Sequence, residues 1–357
     1  MYTTIHSRPA LNSRPRRRED TRDGLRIAAV LNGNARQVNA RVARELSQAL
    51  PGAVHVTHTL EDSNALIGRL VSEGVDVLFA GGGDGTLLQT TRAVRQHRER
   101  LGLHRSQEPY VGLLPLGTGN ALASHFGLGS ALNQLTLAAH GAPAKVHRLR
   151  LVEVDGERTP FAGVGVEAMI INDYNQLKGW ASRHRLDGVL TGLPGYFMAT
   201  ALRTLPRWLT RRRPVATIVN TGDRPAWRVA SDGTRLGEVA PGEVIYEGPL
   251  TTAAASTTSC YGFDMRIFPL AEQDPNRFQL RIYRGHGVDP LFKAPRLFDG
   301  TYSSPDLFDV LAERVTLHLD REAPLQVAGD AHGWRRTVTF ALADEVVPVW
   351  TPDARLH

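Results

Sequence analysis

Two glycine-rich loops constrain the fold of this chain more than any other feature of its sequence. Residues 81–86 (GGGDGT) follow an apolar run at 75–80, and residues 115–120 (PLGTGN) follow another at 111–114. A helical pattern of apolar residues begins directly after each loop. Strand, glycine-rich turn and helix in this order are typical of a parallel sheet that is covered by helices on both faces.

The remainder of residues 25–145 repeats the alternation of strands and helices, which predicts one α/β nucleotide-binding domain. The predicted strands are 27–31, 54–57, 75–80 and 111–114, and the predicted helices are 38–50, 63–73, 86–100 and 121–126. From residue 146 short alternating runs separated by Gly, Pro and Asp predict a β-rich sandwich domain over 146–343. Its predicted strands are 147–154, 161–166, 215–220, 244–246, 263–268, 278–283, 315–319 and 337–342, and its predicted helix is 194–209. We expect residues 344–357 to return to the first domain.

The composition excludes several classes of protein. With 357 residues, of which 42% are hydrophobic and 22% charged, the chain can bury a sizeable core, so it is neither globally disordered nor fibrous. The single cysteine, Cys260, excludes an internal disulfide framework and fits a reducing compartment. No apolar run is long enough for a membrane-spanning helix, and no secretory signal is evident at the N-terminus, so we expect a cytoplasmic protein.

The net charge of +6 is concentrated in two segments. Residues 1–24 carry six arginines against three acidic residues and are predicted to be a disordered arm. Residues 176–213 carry eight Lys or Arg against one acidic residue and are predicted to be a helical insertion with an apolar stripe at Phe197, Ala201 and Leu205. Either this stripe packs on the sheet, or the helix binds peripherally to an anionic membrane surface. Neither segment has a nucleic-acid-binding motif, so no nucleic-acid partner is expected.

The glycine-rich loops carry the predicted chemistry. The carboxyl ends of parallel strands meet at one edge of a sheet, where glycine lets the backbone approach a ligand and helix N-termini present N–H groups to anions. We therefore predict a phosphate cradle in which Asp84 supplies a carboxylate for a magnesium ion or a sugar hydroxyl. The predicted contacts are Gly81, Gly82, Gly83, Asp84, Gly85, Thr86, Gly117, Thr118, Gly119 and Asn120. The spacing fits neither a Walker loop nor the dinucleotide fingerprint.

Residues 82–86 (GGDGT) and 115–120 (PLGTGN) resemble the two signatures of the diacylglycerol kinase catalytic domain, which bacterial lipid kinases share with sphingosine and ceramide kinases. NAD kinases carry the first signature as well, whereas the second favours the lipid kinases. The resemblance implies ATP-dependent phosphorylation of a lipid hydroxyl in lipid metabolism, such as phospholipid biosynthesis. It also implies ATP and Mg²⁺ as cofactors, with Asp84 as a catalytic residue and a metal ligand.

The same resemblance implies roles for residues outside the two loops. Asn32 stands where the family has an Asn-Pro loop, with Gly33 in place of the proline, and Thr59 matches a threonine that faces the nucleotide phosphates. Residues 161–168 (FAGVGVEA) are similar to the family's Gly-Phe-Asp-Ala strand, so that Glu167 takes the place of its acid.

Two sequence departures bear on activity. Asp274-Pro275-Asn276 replaces the family's Asp-Asp-Gly turn near a magnesium site, so a second carboxylate is missing there. Ala328-Gly329-Asp330 replaces its Asp-Gly-Glu, which leaves Asp330 as the predicted proton acceptor. The alternatives are an NAD kinase-like small-molecule kinase and a catalytically weak, nucleotide-binding homologue at the membrane. The sequence leaves open which lipid is the acceptor, and also the oligomeric state, for which a homodimer is one alternative.

Overall fold

The computed structural model describes residues 24–184, 193–210, 212–285 and 289–352. Residues 1–23 of the predicted basic arm lie outside the described residues. The same is true of 185–192 and Arg211 in the predicted helical insertion, and of 353–357 at the C-terminus.

The first part of the chain is a parallel sheet with helices on both faces. Its strands are β1 (Ile27–Asn32), β2 (Val54–Thr57), β3 (Val77–Gly82) and β4 (Tyr110–Pro115). Its helices are α1 (Ala40–Ala49), α2 (Leu60–Ser72), α3 (Asp84–Arg100), α4 (Ala121–Phe126) and α5 (Ala131–Ala139), with a 3-10 turn at Arg105–Gln107. The strand order is β2-β1-β3-β4. Every residue of β3 is buried, because Leu78 packs with α2 and α3 on one face while Phe79 packs with α1 and α5 on the other.

The second part of the chain is rich in antiparallel strands. The strands are β5 (Ala144–Val154), β6 (Glu157–Thr159), β7 (Phe161–Gly165), β8 (Val215–Asn220), β9 (Ala226–Val229), β10 (Arg235–Val239), β11 (Val244–Pro249), β12 (Thr252–Ser256), β13 (Phe278–Tyr283), β14 (Leu307–Ala312), β15 (Arg314–Val327) and β16 (Asp330–Pro352). The helices are α6 (Val166–Arg183), α7 (Leu193–Ala199), α8 (Leu205–Thr210), α9 (Asp289–Phe292) and α10 (Ala294–Phe298). A π-helical turn at Thr200–Thr204 joins α7 to α8. Strand β7 lies between β12 and β15, and this arrangement positions the site described below.

The long strand β16 joins the two parts. Its first half pairs antiparallel with β15, whereas Val349 and Trp350 near its end pair in parallel with Val111 and Gly112 of β4. Trp350 packs edge-on against Phe79, with ring centroids 5.5 Å apart. The end of the strand-rich part is therefore hydrogen-bonded into the parallel sheet.

The structure has the predicted two-part architecture but differs from the sequence prediction in local elements. The predicted strand at 263–268 is wrong, because Phe263 (φ 51°) and Asp264 (φ 61°) have left-handed backbone conformations that end strand pairing and make a turn. The chain becomes helical at Val166, so α6 ends the predicted strand 161–166 one residue early and begins before the predicted helical insertion at 176–213. Strands β6, β9, β10, β12 and β14 were not predicted. Within the described ranges, no helix has both the length and the apolar content that crossing a bilayer requires.

Candidate active site

The two glycine-rich loops meet at the carboxyl edge of the parallel sheet. The N–H of Leu116 donates to the carbonyl of Gly82 over 2.9 Å. A Cβ built on Gly117 would lie 2.5 Å from Cα of Gly83, so a side chain at this position would force the loops apart. The contact requires glycine at position 117, and the sequence prediction that the loops converge is supported by this geometry.

Asp84, in the first glycine-rich loop, fixes the position of the second loop by hydrogen bonds. It is the first residue of α3, and its two carboxylate oxygens accept hydrogen bonds from the N–H groups of Ala121 and Leu122, each over 2.9 Å. These donors begin α4, so the carboxylate satisfies backbone groups that a helix N-terminus leaves without partners. Burial raises the pKa of Asp84, and the two backbone hydrogen bonds act against that rise.

Asn120 fixes the conformation of the second loop. Its backbone is left-handed (φ 47°), its Oδ1 accepts from the N–H of Gly117 over 3.0 Å, and its Nδ2 donates to the Gly117 carbonyl over 3.2 Å. Gln37 Nε2 donates to the same carbonyl over 2.9 Å. Thr118 and Gly119 therefore lie at the tip of a loop that is tied on both sides, as a phosphate-binding loop requires.

The residues that the family resemblance added lie at the ends of β1 and β2. Asn32 Nδ2 is 3.5 Å from Thr86 Oγ1, which links the first loop to β1. The Thr59 hydroxyl caps α2, because it accepts from the N–H of Asp62 over 3.0 Å and donates to Oδ2 of Asp62 over 2.7 Å. Its predicted contact with nucleotide phosphate remains a prediction, and the structure gives the hydroxyl a helix-capping role.

The side chains around Asp84 do not fit a magnesium site built by the protein. Both of its carboxylate oxygens already accept backbone hydrogen bonds. Within the described ranges, no group of three His, Cys, Asp or Glu side chains lies close enough together to hold a metal ion. The structure gives Asp84 a role in tying the two loops together, its role as a metal ligand remains a prediction, and no step below is assigned to a metal ion.

Asp330 lies at an exposed hairpin between β15 and β16. The turn is made by Ala328 (φ 52°) and Gly329 (φ 83°), and the N–H of Ala328 donates to the carbonyl of Phe161 over 3.1 Å. Asp330 is exposed, whereas Gln326 on the preceding strand is fully buried. The role of Asp330 as a proton acceptor remains a prediction.

An apolar cleft opens in the strand-rich part beside the second loop. Its cavity volume is about 160 Å³, and its wall is formed largely by apolar side chains. Among them are Ile170, Phe197, Met265, Ile267, Leu297 and Leu307. The cleft reaches the glycine loops through Tyr261, because the neighbouring Gly262 lies against Gly119 and the N–H of Phe263 donates to the Gly119 carbonyl over 2.9 Å.

Three polar groups lie together at the wall of this apolar cleft: Glu167, Tyr261 and Gln326, named here the polar cluster. Within the described residues, Glu167 Oε1, Tyr261 OH and Gln326 Nε2 are all shielded from solvent, and Gln326 and Tyr261 are hydrogen-bonding neighbours of the Glu167 carboxyl group. Burial raises the pKa of Glu167 to about 8, and nearby Gln326 and Tyr261 only partly offset this rise. Sequence reasoning reached Glu167 only through the family resemblance. It did not select Tyr261 or Gln326 as site residues, although both stand in segments that resemble the family.

The raised pKa of Glu167 predicts a pH-dependent stability. The folded state holds its proton up to about pH 8, whereas the unfolded chain releases it near 4.5. This contribution to stability is complete below pH 4.5 and is lost as pH rises toward 8. Glutamine does not titrate, so the Glu167→Gln variant does not share the parent's loss of stability as pH rises. Its free energy of unfolding relative to that of the parent should therefore rise by about 2–3 kcal/mol between pH 5.5 and 7.5. Urea unfolding at both pH values tests this, and an equal difference at both would contradict the burial of Glu167.

Comparisons with known proteins agree with the loop geometry. Residues 29–153 match the family model described as the diacylglycerol kinase catalytic domain. The chain is 37% identical over 103 residues to a Salmonella heidelberg protein named "Probable lipid kinase YegS". It is 36% identical over 99 residues to "Probable lipid kinase YegS-like" from Xanthomonas euvesicatoria. Each match covers 28% of this chain and 32% or 31% of the relative, so the similarity spans about a third of the length of these curated relatives.

Solved structures share the fold over most of the chain. A diacylglycerol kinase from Bacillus anthracis strain Sterne gives a TM-score of 0.52 at 14% identity, over 90% of this chain and 93% of that one. A second crystal structure from the same organism gives 0.57 at 16% identity, over 89% of this chain and 94% of that one. At such identities the likeness concerns the fold alone. It confirms the prediction of an α/β part followed by a strand-rich part.

Proposed function

We propose, from the match of residues 29–153 to the diacylglycerol kinase catalytic domain, that this chain is an ATP-dependent kinase that phosphorylates a lipid hydroxyl. The glycine loops would hold the phosphates of ATP through backbone N–H groups, since the loops lie at the carboxyl edge of a parallel sheet. Asp84 and Asn120 would keep these loops in the binding conformation through the hydrogen bonds described above.

The observation that carries the proposal is the contact of Gly119 in the second loop with Gly262 and Phe263, which follow the cleft-lining Tyr261. Phosphoryl transfer needs the acceptor hydroxyl in line with the transferred phosphate. This contact brings one wall of the cleft to the second loop, so an apolar molecule in the cleft would have its hydroxyl near a phosphate on the loops. A wall of this kind suits acyl chains, because burying their surface is favourable by about 25 cal/mol per Å².

The charge of the cleft favours a lipid over NAD as acceptor. The charged side chains among its described lining residues are Glu167 and Arg281. Arg281 is neutralised by Asp309, whose two oxygens lie 2.8 and 2.9 Å from its guanidinium nitrogens. No unpaired cation therefore faces the cleft from these residues to hold the pyrophosphate of a dinucleotide, and the NAD kinase-like alternative is disfavoured.

The acceptor class is tested with ATP labelled at the γ-phosphate. The full chain is incubated separately with diacylglycerol, phosphatidylglycerol, a sphingoid base and ceramide, each in mixed micelles. Label in at least one lipid is the expected result, and the lipid that takes it identifies the acceptor. ATP binding without label in any lipid would overturn the proposal in favour of a nucleotide-binding homologue without turnover.

We also propose that the π-helical turn at the apolar cleft, together with α6, forms a segment that binds an anionic membrane surface. The lipid would enter the cleft from this surface. Thr200 and Thr204 of the π-helical turn are buried and line the cleft, whereas Leu202 on the same turn is 70% exposed beside the exposed Arg203. Trp180 on α6 is a further exposed aromatic. Not all of the basic residues of 176–213 are free for this role, because Arg213 Nη1 donates hydrogen bonds to the carbonyls of Arg284 and Gly285.

Leu202→Asp is therefore expected to weaken binding to anionic vesicles by at least tenfold. The change removes an inserted apolar side chain and adds a charge that the membrane repels, together worth about 2 kcal/mol or more. Leu236→Asp is the matched control, because Leu236 is 69% exposed on β10, away from this segment. Sedimentation with vesicles containing phosphatidylglycerol measures the effect. Equal losses in the two variants, or no loss in either, would refute docking by this segment.

A further inference from the structure

Glu167 is placed by a sharp turn between β7 and α6. Gly165 has φ 113°, and a Cβ there would lie 3.0 Å from Cα of Thr252, so the turn requires glycine. The turn folds the Glu167 side chain back over β7, where a Cβ on Gly163 would overlap its Oε1. The carboxyl group thus occupies the space that a side chain on Gly163 would fill.

The register of three strands brings the rest of the polar cluster to this point. Gly163 pairs with Ala254 of β12 on one side and with Gln326 of β15 on the other. Gln326 Oε1 accepts from the N–H of Gly329 over 2.9 Å, so its Nε2 is the group left to interact with Glu167. The polar cluster is therefore a polar point in an otherwise apolar wall, where the hydroxyl of a ligand can bond to the Glu167 carboxyl group.

The polar cluster is connected to the phosphate loop through Tyr261. Glu167 and Tyr261 both line the cleft, and the Tyr261 ring packs at a tilt against Phe161 at the start of β7, with ring centroids 4.5 Å apart. The next residue, Gly262, packs on Gly119, where a Cβ on Gly262 would lie 3.7 Å from the Gly119 Cα. A hydroxyl at the end of an apolar molecule would therefore meet Glu167 on the side of the cleft that faces the phosphates.

We infer that Glu167, and not Asp330, receives the acceptor hydroxyl and takes its proton during phosphoryl transfer, with Tyr261 and Gln326 as positioning residues. This inference rests on the proposed lipid kinase activity. Asp330 is exposed on a hairpin, whereas Glu167 lines the apolar cleft and has a carboxylate oxygen that is shielded from solvent.

The charges around Glu167 suit this role. The groups that face it are Tyr196 from α7, Tyr261 from the turn after β12, and Gln326 from β15. Burial raises the pKa of both tyrosines, so they stay neutral at physiological pH. Arg281, which lines the same cleft, is paired with Asp309. With a pKa of about 8, Glu167 is close to the value at which a base combines availability with proton affinity near neutral pH.

The step balances without a further reactant. The proton of the acceptor hydroxyl moves to the Glu167 carboxylate, and a bond forms between the hydroxyl oxygen and the γ-phosphorus of ATP. The bond between that phosphorus and the bridging oxygen breaks, and ADP leaves with the electron pair. Glu167 releases its proton to water when the phosphorylated lipid dissociates.

The inference is tested by steady-state kinetics of Glu167→Gln on dioctanoylglycerol, a short-chain acceptor. We expect kcat to fall by about 10²–10⁴-fold, while KM changes only a few-fold because glutamine can still bind the hydroxyl. In the parent, kcat should rise with pH to a plateau above about 8, and Glu167→Asp should retain part of this pH dependence. Glu247→Gln, at an exposed position on β11, is the control that should match the parent.

Asp330→Asn decides between the two acids. If it loses the activity while Glu167→Gln keeps it to within tenfold, the proton goes to Asp330 and the inference is overturned. If the parent transfers phosphate to no lipid, the proposed function fails first. The urea unfolding of Glu167→Gln at two pH values then still reports whether Glu167 is the buried, proton-holding group described here, and the same difference at both values would overturn the inference separately.

Discussion

Replacing Asp84 with asparagine is expected to remove phosphoryl transfer and to destabilise the protein by about 1–3 kcal/mol. The carboxylate accepts from Ala121 and Leu122 with one oxygen each, whereas an asparagine has one carbonyl oxygen and an NH₂ group that would face a second donor. One N–H at the start of α4 is then left without its partner, and the second glycine loop loses its tie to α3. The loss of activity follows from the misplaced loop.

The Asp84 prediction is measured by thermal unfolding and by ATP binding in a calorimeter. Asp223→Asn is the control, because Asp223 is exposed in the loop before β9. The control should match the parent in both measurements. A variant at Asp84 with unchanged unfolding and undiminished ATP affinity would mean that its two hydrogen bonds do not hold the loops together.

Gly117→Ala should lower ATP affinity at least tenfold and should destabilise the fold by about 1–3 kcal/mol. The new Cβ would lie 2.5 Å from Cα of Gly83 and 2.8 Å from its backbone nitrogen. These are backbone atoms, so no side-chain rotation relieves the overlap and the two loops must separate. The phosphate site between them would then lose its geometry.

Gly179→Ala is the control outside the two loops. Nothing lies within 4 Å of a Cβ at Gly179, which is exposed on α6, so alanine there should be tolerated or slightly stabilising. The measurements are ATP titration and urea unfolding of both variants. If Gly117→Ala binds ATP as the Gly179→Ala control does, the phosphates do not lie between these loops.

The parallel sheet could be predicted from the sequence because the signal for each of its strands lies in consecutive residues. A strand buried on both faces is a continuous apolar run, as at 75–80, and the structure has β3 there with a shift of about two residues. Strand β12 (TAAAS) has no such signal. It is formed from small residues because it lies between β7 and β13, with Ala254 facing the space that Glu167 occupies, and that requirement is tertiary.

The candidate site likewise has one part that could be predicted from the sequence and one part that could not. The glycine loops could be predicted because each is a motif of consecutive residues. The polar cluster could not, because Glu167, Tyr261 and Gln326 come from a helix, a turn and a strand that only the register of β7, β12 and β15 brings together. Asp84 was predicted as a site residue, but its role in tying the two loops together was not. The two backbone N–H groups that donate to its carboxylate lie 37 and 38 residues away in sequence.

The most direct test of the account offers two acceptors to the same enzyme. The full chain is given γ-labelled ATP with equal concentrations of dioctanoylglycerol and NAD, and the organic and aqueous phases are separated after partial turnover. We expect the label in the organic phase as phosphorylated lipid, because the acceptor site is an apolar cleft whose lining arginine is already paired. Label in NADP in the aqueous phase would contradict the account and would make the chain a dinucleotide kinase.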